Sequence, residues 1–246
     1  GEQLDAVVQN RDLEQRRDLQ LVFQDPMSAL NPQMRVQAIV EEPLLVHEPG
    51  MVKTARRERV VAILEKVGLG EEYLRRYPHE LSGGQAQRVA IARALILQPV
   101  VLICDEAVAA LDGSVREQVL GLLRGVQEET GLSIIFISHD LAVVRSISHR
   151  VFVMYLGRLV EQADSATLFA RPQHPYTRAL IDSVPVPDPV AVVKRAPLRG
   201  EVPSPLNPPT GCVFHPRCAR ADSRCSTEAP RLRELGGARV ACHHPI

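Results

Sequence analysis

The chain has 246 residues, and its 29 basic and 29 acidic side chains give a formal net charge of zero. That length holds one large α/β domain and a small appendage. The balanced charge offers no basic field for nucleic acid and no acidic, solvating tail, and no stretch approaches the ~20 apolar residues that span a bilayer. Any membrane role would therefore run through a partner. No secretory signal is present, and Cys104 falls in a predicted core strand, so a reducing cytoplasm is expected.

Asp12–Arg17 reads as a short helix and Leu19–Phe23 as a strand behind it. Gln24 opens QDPMSALNP, where Pro26 and Pro32 predict an irregular loop. Taken alone, a glutamine there is a solvated side chain. From Val36 to Tyr77 the pattern is helical, with Val60, Val61, Leu64 and Val67 on one apolar face. The nearby Lys53, Arg56, Arg57 and Arg59 read as solvated helix surface rather than a membrane-binding face, because acids are mixed in and aromatic anchors are lacking.

The centre of the chain is Leu81–Asp112, LSGGQAQRVAIARALILQPVVLICDEAVAALD. Ser82, Gly83 and Gly84 open a helix running to about Leu97, so unpaired N–H groups and the positive end of the helix dipole stand beside a hydroxyl, an anion-binding arrangement. Val89, Ile91, Ala94 and Leu95 bury against a sheet. Arg88 and Arg93 are phosphate ligands or surface ion-pair partners, the second being favoured. Val100–Cys104 has no polar residue on either face and predicts a strand buried between helix layers. Asp105 and Glu106 follow at its carboxyl end, the edge where open α/β sheets bind ligands. One acid suits Mg²⁺ and the next suits an attacking water.

Val115–Thr130 predicts an amphipathic helix with Val115, Val119, Leu122 and Val126 inward, and Gly131 ends it. Leu132–Ile137 is another apolar strand, and Ser138-His139-Asp140 follow at its carboxyl end. A lone histidine is more often structural than catalytic, but this one falls at the same sheet edge as Glu106. The DE and SHD residues do not look like a hydrolase triad, because no serine sits on a GxSxG elbow. Arg150–Glu161 reads as two strands joined at Leu156-Gly157 that close the sheet, and HPYTRAL then enters a helix through Ile181.

Pro185–Ile246 changes character, holding 11 of the 19 prolines and 4 of the 5 cysteines. Cys212, Cys218, Cys225 and Cys242 in a cytoplasmic chain suggest a four-thiolate metal site more than disulfides. The absence of paired CxxC counts against common zinc ribbons, leaving zinc, an iron–sulfur cluster or no metal open. His215, His243 and His244 could replace a ligand, and Arg217, Arg220, Arg224 and Arg231 would offset thiolate charge. A nucleic-acid knuckle is disfavoured because stacking aromatics are nearly absent.

The ordered set of Gln24, Leu81–Gln85, Asp105-Glu106, Asp112 and His139 resembles the ATP-binding-cassette (ABC) ATPases. QDPMSALNP, YPHELSGGQ, HPYTRAL, GCVFHPRC and ACHHP resemble that family's oligopeptide/dipeptide importer branch. The resemblance implies an α/β, P-loop-NTPase-like domain over 1–184, with a helical subdomain at about 25–98, and a Cys-rich C-terminal extension over 185–246. It implies ATP and Mg²⁺ as cofactors, held by Gln24, Asp105 and the signature Ser82, Gly83, Gly84 and Gln85. Glu106 and His139 would be catalytic, and Asp112 would lie at the dimer interface. In some members of the branch the extension carries a [4Fe–4S] cluster, with Zn²⁺ the alternative here. The implied partners are a second ABC ATPase subunit, a membrane permease and, indirectly, an extracytoplasmic peptide-binding protein, with no nucleic acid, at the cytoplasmic membrane face. Two departures stand out. Ala107-Val108-Ala109 replace the usual proline and hydroxyl residue, which would loosen that turn. No GxxxxGK[ST] loop occurs and residue 1 is glycine, so the sequence reads as an ATPase domain truncated before the Q-loop, lacking N-terminal strands and Walker A. The implied function is an ATPase subunit energising peptide import. The alternatives are a non-catalytic subunit completing a partner's ATP site through its signature, or an importer of another small solute such as nickel.

Overall fold

The computed structural model describes residues 12–184, 198 and 200–246, so the proline-rich run after HPYTRAL, with the expected boundary at 184/185, lies largely outside the described residues. The chain divides into two compact units, one through His139 and one from Asp140.

In the first unit α1 (Leu13–Asp18) is capped by Asp12, whose carboxylate accepts the Gln15 N–H, and β1 (Leu19–Val22) follows directly. The predicted irregular loop instead contains a four-residue helix, α2 (Pro26–Ala29): Asp25 caps it and Pro26 fills its first position, where a missing N–H costs nothing. Next come α3 (Val36–His47), α4 (Lys53–Lys66), α5 (Gly83–Leu95), β2 (Val101–Asp105), α6 (Gly113–Thr130) and β3 (Ser133–Ile137). The α4 cations do not simply meet water: Arg56 pairs with Glu41, and Arg59 with Glu48 and the Ile96 carbonyl.

The three strands form a parallel sheet in the order β1-β2-β3, as connections through helices require. Two expectations are corrected here. Val22, Leu102 and Cys104 are buried on one sheet face, but Leu21, Ile135 and Ile137 on the other are exposed. The strands are apolar on both faces, yet among the described residues only one face is covered. On α6 the buried stripe is Val119, Leu120, Leu123 and Val126, so Leu120 and Leu123 take the place expected for Val115 and Leu122. Gly131 closes the helix with φ +70°, a left-handed cap that glycine adopts without strain.

The second unit contains α7 (Leu141–Ile147), β4 (Arg150–Tyr155), β5 (Arg158–Asp164), α8 (Ser165–Ala170), α9 (Pro175–Ser183), α10 (Ser223–Thr227), β6 (Arg233–Leu235) and β7 (Ala238–Val240). The two strands around Leu156-Gly157 do not close the parallel sheet. They form an antiparallel sheet of their own, in the order β4-β5-β7-β6. Leu156 and Gly157 both have positive φ, the two-residue geometry that matches hairpin twist, and the free edge of β5 is taken by β7 from the cysteine-rich tail. Residues 150–183 and the tail thus share one sheet, although composition alone separates them.

Phe214 anchors the tail. It is 1% exposed and packs against Tyr155, Tyr176 and His174 at ring separations of 5.2, 5.3 and 5.6 Å. HPYT, a marker without evident chemistry in the sequence, has a structural task. The His174 side chain caps α9 by accepting the Tyr176 N–H, while buried Glu161 accepts the N–H groups of Gln173 and His174.

Candidate nucleotide site

Strand register assembles one edge. Val22 aligns with Cys104, and Cys104 with Phe136, so Gln24, Glu106 and Ser138 each lie two residues beyond aligned positions. Asp105, at the end of β2, is exposed, and Glu106 turns out of the strand with φ +47°. Its N–H still donates to Ile137 O across the sheet at 3.0 Å, which fixes the departing backbone. Positive φ in a non-glycine residue is strained and concentrates at functional sites. The Glu106 carboxylate lies 2.9 Å from His139 Nδ1, with side-chain exposures of 27% and 72%. The edge therefore offers a metal-accessible carboxylate, a second carboxylate beside an imidazole, and the exposed amide of Gln24. The turn after Glu106 is closed by the Ala109 N–H donating to Glu106 O, with Ala107 and Val108 buried.

Ser82–Gln85 occupy the other element, the start of α5. Ser82 Oγ accepts the Gln85 N–H, and Gln85 Oε1 accepts the Ser82 N–H, a reciprocal capping box. Gln85 Nε2 donates to Tyr73 Oη, so both ends of the glutamine are engaged in holding the helix start. The glycines differ. A Cβ on Gly84 would collide with Val115 Cγ1, so close helix approach requires glycine, whereas one on Gly83 would meet nothing. Gly83 and Gly84 N–H groups lie in the first turn and have no intrahelical acceptor. Asp112 precedes α6, is exposed, and makes no side-chain cap hydrogen bond.

The two α5 arginines follow neither sequence reading. Arg88 donates to Val67 O and Gln118 Oε1, and Arg93 donates to Ala29 O. A surface cavity of about 490 Å³ between α4 and α6 contains none of the candidate residues, and its two cations, Arg59 and Lys66, are already held by Glu48 and Glu129.

In the tail, Cys212, Cys225 and Cys242 are buried, Cys218 is partly buried, and all are free thiols. Burial first, then neighbouring Cys212, Cys218 and Cys225, push the Cys242 thiol up to about 11, so the four groups share one environment. Gly211 permits this: at φ +66° a Cβ would sit 2.5 Å from Cys225 O, beside the Cys212 N–H to Cys225 O bond. The donor atoms that lie within 4.8 Å of one another belong to Asp222, Cys225 and His244, not to a cysteine trio. His215 and His243 face the backbone carbonyls of Cys212 and Glu228. Arg224 is paired with Glu228, and Arg220 and Arg233 donate to the carbonyls of Pro245 and Cys242.

Comparison with known proteins gives the arrangement its family. Residues 2–109 match the ABC transporter family model, and residues 160–225 match that of the oligopeptide/dipeptide transporter C-terminal region. A probable peptide ABC transporter ATP-binding protein of Sinorhizobium fredii is 55% identical over 93% of this chain and 65% of its own length. The oligopeptide transport ATP-binding protein OppF of Escherichia coli is 51% identical over 92% of this chain and 69% of its own. The chain thus spans about two thirds of these relatives. Among solved structures, cbiO1 of Clostridium perfringens, part of the ABC transporter complex cbiONQ, has a TM-score of 0.58 at 34% identity, over 64% of this chain and 61% of that one. The dimeric bacterial ABC transporter cassette MJ0796 has a TM-score of 0.55 at 33% identity, over 61% and 64%. The chain belongs to the ATP-binding proteins of ABC transporters, in the oligopeptide/dipeptide branch.

Proposed function

We propose that this chain is the ATP-hydrolysing subunit that energises import of di- and oligopeptides through a membrane permease. The observation that carries the reading is the Glu106–His139 contact at the carboxyl edge of a parallel sheet, beside Asp105 and in line with Gln24. Magnesium supplies charge neutralisation to the phosphates when bound. The exposed Asp105 carboxylate is an oxygen ligand of the type this ion takes, directly or through water. Glu106 orients the attacking water and accepts its proton, while His139 holds the carboxylate and contacts the γ-phosphate together with Gln24. Work of this kind is positioning and electrostatic stabilisation. Ser82, Gly83 and Gly84 present the α5 start to a nucleotide bound mainly by a second ATPase subunit, Gln85 keeps that start closed, and Asp112 links the two sites.

The MJ0796 cassette is dimeric, and one of its structures holds ADP and Pi, which supports such pairing here. Among the described residues no helix is long and apolar enough to cross a membrane, in keeping with a peripheral subunit on the cytoplasmic face of a permease. The open space above Gly83 leaves room for a nucleotide held by another subunit to approach, as pairing of the ATPase subunits requires. The tail cysteines are proposed to hold a metal centre. Tetrahedral zinc on four thiolates would bring sulfurs to about 3.8 Å of one another, from Zn–S near 2.3 Å. Among the described residues the compact donor group is Asp222, Cys225 and His244 rather than a cysteine trio, so a [4Fe–4S] cluster is proposed from the count of four thiols alone, with zinc as the alternative.

The test is ATP-dependent uptake of a labelled peptide into vesicles bearing the assembled transporter. Uptake of peptide supports the reading. Uptake of nickel but not peptide overturns the substrate, and uptake that survives loss of Glu106 assigns hydrolysis to the partner subunit.

A further inference from the structure

We infer that Arg93 is a positioning residue that locks the Q-loop segment to the signature helix. The inference rests on the reading of Gln24 and Ser82 as nucleotide-contacting residues and adds a mechanical link between them.

Arg93 lies in the last turn of α5, the helix that Ser82 begins, about 16 Å along the axis from it. Its Nη1 donates to Ala29 O at 2.8 Å, a bond across 64 residues of sequence. Ala29 ends α2, and a carbonyl in the last turn of a helix has no intrahelical donor of its own. Arg93 therefore supplies the partner that such a short helix cannot.

The segment it grips is internally tight. Asp25 accepts the Met27 N–H through its carboxylate and the Ser28 hydroxyl through its carbonyl, while Pro26 and Leu30 are buried. Gln24 immediately precedes this knot. Fixing Ala29 fixes the knot, and the knot fixes the root of Gln24. Burial lowers the Arg93 pKa, partly opposed by Glu42, so the guanidinium has left water for this contact. A surface ion pair would not require that. Arg88, one turn nearer the signature, bonds instead to Val67 O and Gln118, so the two arginines secure different sides of α5.

A mechanical role follows. Movement of α5 as the signature engages nucleotide is passed through one charged hydrogen bond to the residue that senses γ-phosphate at the sheet edge. Arginine is suited to this, because a charge-assisted bond to a carbonyl is stronger than a neutral one and couples the two segments firmly.

The experiment is amide hydrogen exchange on the chain carrying R93A, R93Q or R93K, with steady-state ATPase kinetics of the assembled transporter. R93A and R93Q are expected to speed exchange of the Ala29 and Leu30 amides by about tenfold or more, leaving α3 and the first turns of α5 protected. R93K, which can still donate to Ala29 O, restores most of that protection. In the transporter, R93A should lower kcat by about tenfold with KM for ATP changed less than about twofold, since Gln24 placement matters most in the transition state. Unchanged Ala29 and Leu30 exchange overturns the inference, as does loss of protection spread evenly over α3 and α5. A wild-type transporter with no ATPase activity would defeat the proposed function, and the exchange data would then decide the lock alone.

Discussion

Lowering the pH should destabilise the second unit through His174 before its exposed ion pairs matter. His174 is 1% exposed, its Nδ1 accepts the Tyr176 N–H, and its Nε2 has no partner among the described residues. Burial lowers its pKa from 6.5 to about 4. A depressed pKa means that the unfolded state binds the proton more readily, so stability is intact above 6.5 and is lost as pH falls towards 4. The full difference corresponds to about 3 kcal/mol, of which about 2 kcal/mol is already gone at pH 5. Urea titrations at pH 7.5 and 5.0 measure this, with exchange of the β5 and β7 amides assigning it to the second unit. His174→Asn keeps a capping oxygen but cannot titrate. The wild type should lose about 2 kcal/mol more than this variant between the two pH values. Equal losses would show that His174 is not the acid-sensitive group, and that its cap is not the neutral imidazole described above.

Three further outcomes follow from the packing. Gly84→Ala should cost about 1–3 kcal/mol through the collision with Val115 and recover in the Gly84→Ala/Val115→Ala double variant, as read by thermal unfolding. Ser82→Ala opens the capping box and should cost about 1 kcal/mol of first-unit stability, whereas Gly83→Ala should leave that stability within about 0.5 kcal/mol while weakening nucleotide-dependent pairing. Phe214→Ala should destabilise the second unit by about 3–5 kcal/mol and release β7 from β5, seen as lost amide protection at Glu161 and Val240.

Much of the candidate site was legible because it is written in short stretches. LSGGQ announces a capped helix by its own chemistry, and an apolar strand ending in Asp-Glu states its place in a sheet and its exposed edge. Register then adds what spacing cannot, that Gln24 and Glu106 lie at matched positions. The remainder depended on distant partners. Nothing in Arg150–Glu161 reveals that its edge neighbour is Ala238–Val240, because antiparallel pairing is fixed by the hairpin turn and by strands some eighty residues away. The alternation of burial on β2 and β3 was invisible for a similar reason: an apolar residue is compatible with either face, and packing decides. HPYT looked inert because its work is done on backbone N–H groups and on Phe214, forty residues on.

The central claim is that Glu106 is the group that activates water. The direct measurement is ATP binding and single-turnover hydrolysis by the assembled ATPase with wild-type chain and with Glu106→Gln. Glutamine preserves the shape and a hydrogen bond towards His139 but removes the proton acceptor, so hydrolysis should fall by about 10²–10⁴-fold with ATP affinity within about threefold of wild type. Wild-type turnover in Glu106→Gln would contradict the account and remove the sheet-edge carboxylate from the reaction.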